Sequence, residues 1–169
     1  MQHQMRGVSA KSLAEVLAAV EAVQKPGGDL SSELFAAVTA IDGAPALRRV
    51  LTDPSTDAQA KQALARDVFG ATFGADSVRV IESASAGRWA SPRDFTDGLE
   101  TAGVTAQVMA ADAAGELDSL ETELFEIGRA VHSDDELRGI IADRTVSAEA
   151  KASLLTNVLS GKVSASALT

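Results

Sequence analysis

Cysteine and tyrosine are both absent from this 169-residue chain, and aromatic residues make up only 4 % of it. Without cysteine there is no disulfide framework and no thiolate metal site. That lack fits a reducing compartment. Nucleic-acid binding needs a basic face and aromatic stacking platforms, and the net charge here is −9. No apolar run reaches the ~18 residues of a membrane span. The first residues, MQHQMRGVSAKS, lack the apolar centre of a signal peptide. Catalytic signatures are missing too: HExxH, GxSxG, a Cys–His pair and a dinucleotide fingerprint do not occur. Gly70 to Gly74 holds a glycine pair, but the P-loop lysine with its Ser/Thr is absent and no strand pattern precedes it. It reads as a connector between helices.

What is present is a repeat. Glu33 to Gly70 recurs ninety positions later as Glu123 to Ser160, without a gap. Glu33, Leu34, Phe35, Ala40, Leu47, Arg48, Asp53, Ala58, Ala60, Lys61, Leu64 and Val68 return as Glu123, Leu124, Phe125, Ala130, Leu137, Arg138, Asp143, Ala148, Ala150, Lys151, Leu154 and Val158. A repeat of this length is one supersecondary unit used twice. Apolar residues make up 46 % of the chain, and alanine and leucine dominate them, which favours closely packed helices. The acidity is uneven. Nine bases face ten acids through Ala90, and six face fourteen beyond it.

Periodicity predicts helices throughout, hence an all-α fold of two tandem small bundles. Residues 1–8 read as a frayed tail. Ser9 or Ser12 caps a first helix that runs to Gln24 and carries Leu13, Val16, Leu17, Val20 and Val23. Lys25-Pro26-Gly27-Gly28 ends it. Helices follow over Leu30–Ile41, Ala46–Leu51, Ala58–Phe69 (capped by Asp57) and Asp76–Arg88. Ser91-Pro92-Arg93-Asp94 opens a long helix to Ala114 with Phe95, Leu99, Ala102 and Ala106 on one side. Gly98 and Gly103 weaken it by roughly 1 kcal/mol each. The second copy reads Glu116–Val131, Glu136–Ile141 and Ala148–Leu159, the last capped by Ser147, with Ser160-Gly161-Lys162 matching the Gly70 turn. The division is residues 1–90 and 91–169, the long helix serving both copies. Thr169 aligns with Arg79, so the second copy stops where its fifth helix is due and reads as incomplete, a truncated chain or a natural fragment.

Few residues invite chemistry. His132, Asp134, Asp135 and Glu136 are metal-ligand types and would be the site of a small helical metal-dependent enzyme. Acids at a helix start also complement its dipole, and the first copy has Asp42, Gly43, Ala44, Pro45 and Ala46 there. A solvated helix start is the simpler reading, with no metal, cofactor or catalytic residue. His3 lies in the tail and has no structural role. Lys61 and Lys151 recur with Asp53 and Asp143. A buried lysine of lowered pKa can be catalytic, and a repeated ion pair with the aspartates is the structural alternative. Trp89, the only tryptophan, is expected to pack the fifth helix on the long one; a partner contact is the other reading.

Several of these stretches resemble the delta subunit of F-type ATP synthases, the oligomycin-sensitivity-conferring protein family. The resemblance lies in Leu47-Arg48-Arg49-Val50-Leu51-Thr52-Asp53-Pro54, the Ala60-Lys61 helix, Ala86-Gly87-Arg88-Trp89 and Arg93-Asp94-Phe95. Glu123-Leu124-Phe125-Glu126-Ile127-Gly128-Arg129 and Ser160-Gly161-Lys162-Val163 add to it. The doubled unit is most similar to high-GC Gram-positive members. The resemblance implies a non-catalytic stator subunit on the cytoplasmic face of the plasma membrane, held there through the complex. It implies two partners: the N-terminal helix of an alpha subunit, and a b-type stalk subunit joined through a Gly-rich C-terminal domain that these residues do not include. It also implies a groove between the first and fifth helices, expected here at Leu13, Val16, Val20, Val78, Val80 and Ile81. Val80 lies off the Val78–Ile81–Ala84 side and is expected to face outward. A helical-repeat adaptor with other partners is the remaining alternative.

Overall fold

A computed structural model describes residues 5–23, 28–143, 145–159, 163–164 and 167. Among them there are nine α-helices and no strand. These are α1 (Val8–Glu21), α2 (Gly28–Gly43), α3 (Pro45–Thr52), α4 (Ala58–Phe69), α5 (Ala75–Ala86), α6 (Pro92–Ala114), α7 (Leu117–Ser133), α8 (Asp135–Ala142) and α9 (Ala148–Leu159). The all-α reading holds. The helix end at Gln24, the break at Lys25-Pro26-Gly27, His3 and the Ser160-Gly161-Lys162 turn lie outside the described residues. The chain forms two compact units, Met1–Ala113 and Ala114–Thr169.

In the first unit α5 is the central helix, packed on α1, α2 and α4. Val16, Val20, Leu34, Ile41, Leu51, Val80, Ile81, Phe95, Leu99, Ala102 and Ala106 are completely buried in one core. Each such Val, Leu, Ile or Phe side chain gains about 1.5–3 kcal/mol relative to exposure. The expected α6 stripe is therefore the buried one. α6 begins as its sequence dictates. The Ser91 hydroxyl donates to the Asp94 carboxylate at 2.6 Å and accepts from the Asp94 N–H at 3.1 Å, with Pro92 at the first helical position. Asp57 likewise caps α4, accepting from the Gln59 N–H at 2.8 Å. The two α6 glycines are places of close approach. A Cβ on Gly98 would lie 2.6 Å from the Trp89 ring, and one on Gly103 would lie 3.1 Å from Phe35. Trp89 packs as expected, edge-on to Phe95, and its indole N–H donates to the Ala84 carbonyl at 2.9 Å.

Ser9 and Ser12 are not caps of α1, whose N-cap is Gly7 at φ 61°. Both serines are buried. Ser12 donates to the Arg88 carbonyl at 2.7 Å and accepts from the Arg88 N–H at 2.9 Å. Ser9 donates to Asp94 and accepts from the Ala90 N–H. They satisfy the backbone of the bend between α5 and α6, where no helix or sheet ladder supplies partners.

In the second unit α7 packs on α8, and Leu120, Leu137 and Leu159 are buried. Ser147 caps α9 through the Ala150 N–H at 3.2 Å. Two polar contacts of the first unit recur ninety positions on. Glu33 accepts from the Gly74 N–H at 2.9 Å, and Glu123 from the Ser164 N–H at 2.8 Å. Asp53 accepts from the Ser55 N–H at 2.8 Å, and Asp143 from the Thr145 N–H at the same distance.

Candidate functional site

Five of the six residues expected to line a groove are buried rather than at the surface. Val16, Val20, Val80 and Ile81 are 0 % exposed and Val78 is 7 % exposed; Leu13 is half-buried. Val80 does not face outward. The reason is topological: a helix packed on three others buries far more than the third of its circumference that a surface helix needs. The seam between α1 and α5 is closed, with the Ser83 hydroxyl 3.4 Å from the Glu15 carbonyl. On its solvent side Glu15 and Ala18 of α1 and Arg79 of α5 are exposed, and Ser83 is half-buried.

Lys61 is 3 % exposed and donates to the Gly87 carbonyl at 3.2 Å. It does not pair with Asp53, whose carboxylate is held in the turn by Ser55 and Thr56. Burial foremost, and then the Arg88 charge, push the lysine pKa down, while Asp53 and Asp57 oppose that shift from farther away. Lys61 also lines a cavity of about 370 Å³ with Pro54, Ser55, Asp57 and Arg88. No carboxylate or hydroxyl stands at hydrogen-bond distance from its ammonium among the described contacts. Its role is to tie the start of α4 to the end of α5.

The His132 cluster does not converge. Asp134 caps α8, accepting from the N–H groups of Glu136 and Leu137 at 3.0 Å. Asp135 pairs with Arg138, which also donates to the His132 carbonyl at 2.6 Å. Among the described residues no group of three His, Cys, Asp or Glu side chains stands close enough to hold a metal ion.

Sequence reasoning passed over one surface. On α7, Leu124 is 51 % and Phe125 71 % exposed. Their counterparts in the first unit are covered: Leu34 is 0 % exposed and Phe35 is half-buried. The repeat itself held the signal.

Comparison with known proteins agrees with these features. The family described as ATP synthase delta (OSCP) subunit matches residues 104–169. That region takes in the second unit and leaves out most of the first. Relatives named ATP synthase subunit delta match both units. The protein of Acidothermus cellulolyticus is 36 % identical over 165 residues, 94 % of this chain and 60 % of the relative. That of Streptomyces griseus is 39 % identical over 133 residues, 79 % of this chain and 49 % of the relative. That of Thermobifida fusca is 35 % identical over 167 residues, 98 % of this chain and 62 % of the relative. The chain thus spans about half to three fifths of the length of the curated relatives it matches. Identity at this level, sustained across both helical units, makes the chain similar to the ATP synthase delta (OSCP) family over nearly its whole length.

Proposed function

We propose that this chain serves as a non-catalytic stator element of a rotary, proton-driven ATP synthase, part of the peripheral stalk that holds the catalytic head against rotation. The observation that carries the reading is the match of nearly the whole chain to proteins named ATP synthase subunit delta. The chemistry accords with it. Polar groups on these helices cap, staple and tie elements together, which is what an adaptor under load requires. No described helix is long and apolar enough to cross a membrane, so attachment to the plasma membrane runs through partners. Those partners are an alpha subunit of the head and a b-type stalk subunit.

The alpha-subunit contact is a helix laid over the α1–α5 seam, by helix-in-groove recognition. With Val16, Val20, Val80 and Ile81 buried, the contact uses the rim: Glu15, Ala18, Arg79 and Ser83. The test is recovery of the tagged chain from detergent-solubilised membranes of an actinobacterial host. Alpha and beta subunits should co-purify with it. A chain found only in the soluble fraction, without head subunits, would end the stator reading. Ala18→Arg should weaken capture of an alpha-subunit N-terminal peptide while leaving the helix content unchanged; unaltered capture places the contact elsewhere.

A further inference from the structure

We infer that the cavity between the start of α4 and the end of α5 binds a small phosphoryl dianion, held between the Lys61 ammonium and the Arg88 guanidinium. The inference stands apart from the stator reading, and neither rests on the other. The cavity measures about 370 Å³, and Ser55, Thr56, Asp57, Lys61 and Arg88 are among its lining residues. Ligand pockets start at about 300 Å³, so the space suits a small ligand. Lys61 is buried and uses one of its three N–H donors on the Gly87 carbonyl. The Arg88 guanidinium is in no ion pair among the described residues.

Two acids stand near Lys61, Asp53 and Asp57, and both are engaged elsewhere. Asp53 accepts from the Ser55 N–H and hydroxyl and from the Thr56 hydroxyl, and Arg49 adds its charge beside it. Asp57 takes the Gln59 and Ala60 amides, so the donors facing the cavity are side chains rather than the helix start. Lys61, Arg88 and Arg49 outnumber the two acids. Lys61 is burdened by burial first and by the Arg88 charge second. A dianion between the two cations replaces their repulsion by two attractions and supplies acceptors to the desolvated ammonium.

Both cations are held in place beforehand. Ser12 clamps the Arg88 backbone from both sides, at 2.7 Å and 2.9 Å. Gly87 lies so close to Ser12 that a Cβ on it would be 2.9 Å from the hydroxyl oxygen, and its carbonyl fixes the ammonium. Little ordering is left for binding to impose. The guanidinium fork matches two oxygens of a phosphoryl group, and the ammonium is a point charge for a third. A phosphate ester carries nearly two negative charges at pH 7, which equals the charge of the pair. The second unit differs: Lys151, the counterpart of Lys61, acts on the Asp143 carboxylate.

The experiment titrates the whole chain with inorganic phosphate and, in parallel, with glycerol phosphate. Ionic strength is held constant with chloride, and phosphorus NMR line width reads the binding. Saturation is expected with a Kd of about 1 mM or tighter. Arg88→Gln and Lys61→Met should each weaken it about tenfold or more. Lys151→Met should leave it unchanged. Tighter binding of glycerol phosphate would assign the ligand to a phosphate ester, and tighter binding of phosphate to the free ion; either order supports the site. A broadening that does not saturate, or that chloride competes away on equal terms, overturns the proposal. Binding that survives Arg88→Gln overturns it as well, since that side chain is exposed and circular dichroism can show its variant to be folded.

Discussion

The Lys61 ammonium lies 3.2 Å from the Gly87 carbonyl, and that one bond fastens the start of α4 to the end of α5. The lysine is otherwise enclosed, and its enclosure lowers its pKa. Between the lowered folded value and the ordinary lysine value, the unfolded chain holds more protons than the folded one. Stability from this group therefore rises with pH across that window, because the buried charge is relieved. Lys61→Met should keep the stem packed and change stability by no more than about 1 kcal/mol at pH 7. It should also remove the alkaline rise. Urea unfolding of both proteins from pH 7 to 10.5 measures this, and identical pH profiles would show that Lys61 is hydrated in solution.

Glycine-to-alanine exchange should have opposite signs at two helical positions. At Gly98 the new methyl meets Trp89, and overpacking should cost about 1–3 kcal/mol despite the better helix propensity. At Gly128 there is open space, and alanine should stabilise α7 by about 0.5–1 kcal/mol. Thermal unfolding of the two variants decides it. Stabilisation by Gly98→Ala would mean that Trp89 does not lie over α6.

Val20→Asp and Val80→Asp each place a carboxylate in the first core. Either should cost at least about 3 kcal/mol and abolish cooperative unfolding of that unit. Phe125→Asp, at an exposed position, should change stability by no more than about 0.5 kcal/mol. Circular dichroism with denaturant compares them. A folded Val80→Asp protein would return that side chain to the surface.

Acid should loosen the second unit through Glu123 and Asp143. Bonds from Ser164, side chain first and then backbone, lower the pKa of Glu123; the Thr145 backbone and then its hydroxyl lower that of Asp143. Such stabilisation is present above the ordinary carboxylate values and is lost as pH falls through the lowered ones, below about pH 4. Exchange protection in α7–α9 should drop in that range. Glu123→Gln with Asp143→Asn should flatten the drop, and an equally steep drop in the double variant would assign the acid response to other groups.

Local chemistry was largely legible in the chain. Asp57, Ser91 and Pro92, and Ser147 mark helix starts through side chains that bond within three residues, and α4 and α9 begin and end where expected. The long-range part was not. Ser9 and Ser12 look like caps from their neighbours, but their partners lie 76 to 85 residues away. Val80 looks peripheral on a helical wheel because a wheel shows one helix, whereas burial depends on how many helices surround it. Lys61 beside Asp53 suggests an ion pair, yet the turn takes the carboxylate and a distant carbonyl takes the lysine.

Every residue of the first core lies between Val16 and Ala106. On the ribosome, where synthesis proceeds at about 5–20 residues per second, all of its partners are therefore made before α7. The first unit can close as soon as α6 leaves the exit tunnel, while the second is still nascent. The order of emergence thus separates two segments of similar sequence in time, and keeps α2 from pairing with helices meant for α7.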